Sequence, residues 1–140
     1  MRQIAANLIQ RIRYYYYRMC GYNIHISTQM ERNLNLDRYN PKGISIGKYS
    51  IITSGVTILS HKLIPLKSHK KYIGEKVNTT IGDFCVVGTG AIIMSGVTIG
   101  NEVVVGAGAV ITKNIPSNCI VVGNPARIIK TNIEMEGIKL

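Results

Sequence analysis

The apolar positions of this chain recur every six residues over most of its length. From residue 81 the sequence divides into IGDFCV, VGTGAI, IMSGVT, IGNEVV, VGAGAV and ITKNIP. Each block opens on Ile or Val, at Ile81, Val87, Ile93, Ile99, Val105 and Ile111. Four places later stands a small or apolar residue: Cys85, Ala91, Val97, Val103, Ala109 and Ile115. Upstream, IGKYSI, ITSGVT and ILSHKL hold the same frame, opening at Ile46, Ile52 and Ile58. A period of six fits neither an amphipathic helix nor an alternating strand. It predicts a parallel β-helix, in which each block supplies a short strand and a turn, and three blocks close one triangular coil. The opening aliphatic and the residue four places on face into the prism, where stacked coils bury them in ladders. Glycines at 82, 88, 100 and 106 are expected to relieve the turns, because glycine tolerates backbone angles that other residues resist.

Two segments leave the pattern. Between Leu59 and Ile81 the period is lost, and a projecting loop over about residues 61–80 is expected, with His61 at the break. That loop carries Lys62, Lys67, Lys70, Lys71 and Lys76 against the single acid Glu75. It reads either as a solvated loop or as an attractor of an anionic ligand. At the N-terminus, Ile4, Leu8, Ile12, Tyr15 and Met19 recur at helical spacing and Gly21 can stop the helix. The helix also holds Arg2, Arg11, Arg13 and Arg18, no acid, and the run Tyr14 to Tyr17. It is expected to pack on the first coil and cap its open end; the competing reading is a basic, tyrosine-rich surface in peripheral contact with a membrane. The layout is then a capping helix over 1–21, a β-helix domain over 22–130 and a short charged tail over 131–140.

Composition narrows the class. A length of 140 residues gives one domain. With 46% hydrophobic residues and no Trp, the core is aliphatic. The net charge of +10 points to an anionic partner: phosphates, acidic sugars, nucleic acid or a membrane surface. No nucleic-acid recognition motif accompanies the charge, and the tyrosines cluster in the terminal helix, so no nucleic-acid role is expected. Cys20, Cys85 and Cys119 match no zinc or redox spacing and read as free thiols of a reducing compartment. The start MRQIAANLIQRIR lacks a signal-peptide pattern, and no run approaches the roughly 18 apolar residues of a membrane span. The expected location is cytoplasmic, either free or at the inner face of the membrane.

The stretches IGDFCVVGTGAIIMSGVTIGNEVVVGAGAVITKNIPSNCIVVGNPARIIK and LDRYNPKGISIGKYSIITSGVTILSH together resemble the hexapeptide-repeat acyltransferases. The resemblance covers about residues 22–130. It is nearest the branch containing galactoside and maltose acetyltransferases and the sugar O-acetyltransferases of surface-polysaccharide synthesis. It implies an all-β, left-handed parallel β-helix, a homotrimer with intersubunit active sites, and acetyl-CoA as co-substrate. The implied reaction is direct acetylation of a sugar hydroxyl in polysaccharide or lipopolysaccharide biosynthesis. The acceptor would be a sugar or glycan, either anionic or lipid-linked. Such transfer needs a base for the hydroxyl proton, and histidine suits it at neutral pH. By resemblance the base is His61, at the end of a hexad where a loop leaves the coil. Its second nitrogen needs a partner; Asp37 and Asn33 are the candidates, Asn33 falling where the galactoside branch has an active-site asparagine. Both also suit ordinary turn chemistry. His69 and His25 are not expected to do chemistry.

The same resemblance places the coenzyme. Lys113, Arg127 and Lys130 match phosphate-binding positions, Thr112 and Ala107 line the pantetheine or adenine, and Thr89 presents its backbone N–H to the thioester. The branch often has Trp where this chain has Val86. No metal is expected. A zinc γ-carbonic-anhydrase-like enzyme needs three converging histidines, and the spacing of His25, His61 and His69 suits it poorly. A nucleotide-amino-sugar N-acetyltransferase and a non-catalytic β-helix scaffold would also suit a prism of this kind.

Overall fold

A computed structural model describes residues 1–68 and 70–136. After the helix α1 (Arg2–Met19), the hexads become short parallel strands on three faces of a prism. The first coil is β1 (Asn23–Ile24), β2 (Gln29–Met30) and β3 (Asn35–Leu36), and the second is β4 (Ile44–Ile46), β5 (Ile51–Ile52) and β6 (Thr57–Ile58). A pair of longer strands follows, β7 (His61–Leu66) and β8 (Lys71–Lys76). The third coil is β9 (Thr79–Ile81), β10 (Val86–Val87) and β11 (Ile92–Ile93); the fourth is β12 (Thr98–Ile99), β13 (Val104–Val105) and β14 (Val110–Ile111). β15 (Cys119–Val122) continues the stack, and β16 (Arg127–Thr131) returns antiparallel to it. One face stacks β1, β4, β9 and β12, the second β2, β5, β10, β13, β15 and β16, and the third β3, β6, β11 and β14.

The period of six is a stacking register. Ile52, Val87, Val105 and Val121 line up across one face, and Ile58, Ile93 and Ile111 across another. All of them are buried, as are Cys85, Ala91, Val97, Val103 and Ala109 four places after the openings. Each Ile or Val so enclosed contributes about 1.5–3 kcal/mol of apolar burial. In the second coil the inward slot holds Ser50, whose Oγ donates to Gly82 O at 2.8 Å and accepts the Cys85 N–H at 3.0 Å. Burial pushes the Cys85 thiol up to about 11, so it stays protonated core.

The role expected for the second-position glycines is corrected. The left-handed backbone angles fall elsewhere, at Gly55, Gly90, Gly96 and Gly108 on the corners. Gly82, Gly88 and Gly100 are required because coils approach closely: a Cβ on Gly82 would lie 2.5 Å from Gly100 O, and one on Gly88 2.5 Å from Ala107 N.

The break expected as a loop over 61–80 is a two-stranded antiparallel hairpin, with His61 opposite Lys76. It ends sooner than expected, because Thr79–Ile81 already form β9 in register with β4. The chain thus leaves the prism and re-enters one coil later without losing phase. The tail expected from 131 is partly packed: Ile133 is buried, and its backbone N–H and C=O are both bonded to Asn118.

The helix covers the open edge of the first coil, by a face other than the predicted stripe. Gln10 Oε1 accepts the Met30 N–H at 3.1 Å and Arg13 donates to Met30 O at 2.7 Å, pairing the backbone of an edge strand. Tyr17 packs against the core beside Tyr22. Ile4, Leu8, Ile12, Tyr15 and Met19 all face solvent.

Candidate active site

The corner where β6 ends is built by residues from two coils. The first coil widens there into Asp37–Asn40 and a short 3₁₀ turn, Pro41–Gly43. This excursion brings Asp37 under the start of the hairpin. His61 Nδ1 is hydrogen-bonded to Asp37 Oδ2. The same oxygen accepts the Ser60 N–H at 2.8 Å, and Oδ1 accepts the Tyr39 N–H at 2.9 Å. Burial of the Asp37 carboxyl acts to raise its pKa. The hydrogen bonds from Ser60, His61 and Tyr39 outweigh it and hold the group below the usual carboxylate value. An ionised acceptor on Nδ1 fixes the imidazole tautomer and leaves Nε2 as the proton-accepting nitrogen. The Asp37 side chain is 3% exposed and that of His61 23%, so the pair is anchored inside and open at its working end.

Tyr39 and Asn40, which sequence reasoning missed, hold this corner. The Tyr39 ring lies 4.9 Å from the His61 ring, centroid to centroid, and its hydroxyl donates to Gly74 O across the hairpin. A Cβ at position 74 would sit 2.7 Å from the Tyr39 hydroxyl, so a larger residue there would displace that ring from its place beside His61. Buried Asn40 donates to Ser60 O at 2.8 Å and Val77 O at 3.2 Å, tying the outgoing and returning chains together. Gly43 is confined by this clasp, because its Cβ would lie 2.1 Å from Asn40 Nδ2. Both residues belong to the segment LDRYNPKG, where only the aspartate stands out by residue type. Beside the pair opens a groove of about 680 Å³ lined by Tyr39, His61, Leu63, Tyr72, Ile73 and Gly74. Lys76 Nζ stands 5.7 Å from the Tyr39 ring centre, within cation–π range.

Of the two candidates for orienting His61, Asp37 is brought to it and Asn33 is not. Asn33 occupies the corner between β2 and β3 with φ of 56°, about 13 Å of extended chain from Asp37. That corner is where Thr89 and Ala107 stack, both exposed; Gly108 N donates to Thr89 O at 2.9 Å. Thr112 and Lys113 are exposed just beyond β14, at the other edge of the same face. Arg127 and Lys130 are exposed on β16, and the turn before it bonds back to Val110. Among the described residues neither these cations nor Lys113 form an ion pair. His25 bonds Ser27 Oγ at 2.8 Å; His69 lies outside the described residues. Among the described residues no three His, Cys, Asp or Glu side chains converge to hold a metal.

This geometry has known counterparts. The bacterial transferase hexapeptide family (six repeats) matches residues 78–113. The crystal structure of a maltose O-acetyltransferase from Clostridium difficile 630 superposes with a TM-score of 0.69 at 30% identity, covering 87% of this chain and 75% of that one. The chain belongs to the hexapeptide-repeat acyltransferases. Its prism is the left-handed parallel β-helix of that family. A polysialic acid O-acetyltransferase structure is 32% identical with a TM-score of 0.64, covering 79% of this chain and 53% of that one. A candidate acetyltransferase of Dictyostelium discoideum is 42% identical over 113 residues, 79% of this chain. The chain spans 58% of the length of that relative.

Proposed function

We propose that this hexapeptide-repeat protein is an acetyl-CoA-dependent O-acetyltransferase acting on a sugar hydroxyl of a surface glycan. The Asp37–His61 pair at the mouth of the groove carries the reading. His61 Nε2 takes the hydroxyl proton as the sugar oxygen attacks the thioester carbonyl carbon. Asp37 stabilises the imidazolium while the charge is present. The backbone N–H of Thr89 receives the developing oxyanion. As the C–S bond breaks, the imidazolium returns the proton to the departing thiolate, leaving free CoA and an acetyl ester. No covalent enzyme intermediate is needed.

The relatives support this choice of chemistry, since two similar structures are O-acetyltransferases of maltose and of polysialic acid. Lys113, Arg127 and Lys130 suit the pyrophosphate and 3′-phosphate of CoA, being exposed and unpaired with acids among the described residues. Thr112 and Ala107 border the arm between. Aromatic Tyr39 and Tyr72 give the groove faces for a sugar ring, and Lys62, Lys71 and Lys76 favour an anionic acceptor. Asn33 reaches such a site only across a subunit boundary, which fits a homotrimer with shared sites. Calorimetric titration with acetyl-CoA, followed by transfer of labelled acetyl to neutral and sialylated oligosaccharides, tests the reading. One site per chain with ester formation is expected; no binding to a verified trimer would overturn it.

A further inference from the structure

The terminal helix is assembled with its polarity reversed. A surface helix ordinarily turns its apolar face to the core and its polar face to water. Here Gln10, Arg13, Tyr14 and Tyr17 are the half-buried positions against the prism, and every other residue of α1 is exposed. At about 100° per residue, Ile4, Leu8, Ile12, Tyr15 and Met19 occupy an arc of about 80° pointing away from the coil. Ile9 and Tyr16 widen that arc, and both are exposed. Leu8 is 59% exposed and Ile12 60%, a large apolar face without cover.

The flanks of that face are cationic. Arg11 stands at one edge of the arc with Arg18, which bonds Asn23 Oδ1 at 3.2 Å, and Arg2 stands at the other, while Arg13 is turned to the prism. No acid stands in the helix, and the first along the chain is Glu31. Arginines bordering an apolar face place their stems over it and their charges beside it. This is the pattern of a helix lying in the plane of an anionic bilayer. Charge also argues against a second copy as occupant, because a symmetric pair would set Arg2, Arg11 and Arg18 against the same three with no helix acid between. No helix among the described residues is long and apolar enough to cross a membrane, so the contact is one of lying on the surface.

We propose that the outward face of α1 docks this protein onto the headgroup layer of an anionic lipid membrane. The placement bears on the active site. Tyr22, just beyond the helix, donates from its hydroxyl to the carbonyls of Leu36 and Asp37, each at 3.2 Å. The helix is thus tied to the first-coil corner that holds Asp37, with His61 one coil beyond it, and docking brings the groove towards the membrane plane where a lipid-linked acceptor would sit. Docking itself does not rest on the acetyl-transfer reading.

Flotation of the full chain with phosphatidylcholine vesicles, with and without phosphatidylglycerol, tests the proposal. The unaltered protein is expected to float with the anionic vesicles, more weakly at high salt. L8E/I12E is expected to lower partitioning by about tenfold or more, and R2E/R11E to remove the preference for anionic lipid. Both should keep the thermal unfolding, the acetyl-CoA affinity and the sedimentation mass of the parent. Failure of the parent to float with any vesicle, or flotation of L8E/I12E equal to the parent, would overturn the proposal. A drop in mass for L8E/I12E would assign the face to a second copy and overturn it too. Loss of acetyl-CoA binding with flotation intact would instead remove the catalytic reading and leave docking standing.

Discussion

His61, the base of the proposed reaction, is held by a carboxylate that other groups keep ionised. His61→Ala is expected to lower turnover by about 10²–10⁴ while leaving acetyl-CoA affinity nearly unchanged, which separate kinetic and calorimetric measurements check. Asp37→Asn exchanges an acceptor of three hydrogen bonds for an amide that meets one donor with another. It is expected to cost about 1–3 kcal/mol of stability as well as most of the activity. Because the folded-state pKa of Asp37 lies below its ordinary value, the stability it supplies is present above the unfolded pKa of about 4 and is lost as pH falls through the folded value. Denaturant melts of the parent and of Asp37→Asn should differ by a constant amount at neutral pH and converge in strong acid. The pair was legible in sequence only in part. His61 stood out at the break in the period. Asp37 and Asn33 were equivalent there, because a spacing of four says nothing about which corner of a coil each will occupy.

The hairpin is an addition to the prism and not a part of its core. Its strands pair with each other, while Ile58–Ile93 and Ile46–Ile81 close the ladder beneath it. Replacing Lys62–Glu75 by a short Gly-Ser link is therefore expected to leave thermal stability and acetyl-CoA binding intact and to abolish transfer to the sugar. A collapse of the melting transition would show instead that the hairpin supports the fold. Sequence located this element by loss of the six-residue beat and read it as irregular. Alternation along KLIPL and KYIGEK is weak, and antiparallel pairing depends on the Asn40 clasp, which joins Ser60 to Val77 across residues distant in sequence. The helix carries the same lesson. Its stripe was visible by spacing, but the side that packs was decided by the unpaired Met30 backbone. Gln10 and Arg13 satisfy those groups and apolar side chains cannot.

At the scale of the molecule, charge and symmetry become testable. Lys113→Ala and Arg127→Ala should each weaken acetyl-CoA by about 1–3 kcal/mol through lost charged hydrogen bonds, more at low salt than at high. Unchanged affinity in both would move the coenzyme elsewhere on the prism. Sedimentation should show three chains, since Asn33, Thr89 and Ala107 lie at a different corner from His61 and one chain alone does not bring them together. A clean monomer would undercut the shared site. The sequence by itself determined the prism, because burial every six residues is a local and repeated constraint that any single hexad states. The tertiary structure decided what neighbours across coils do: why Gly82, Gly88 and Gly100 cannot carry a Cβ, which carboxylate meets His61, and which face of α1 is left outward. Each of these depends on atoms that meet only after coils have stacked, where close backbone approach and unpaired edge groups choose among residues that look alike along the chain.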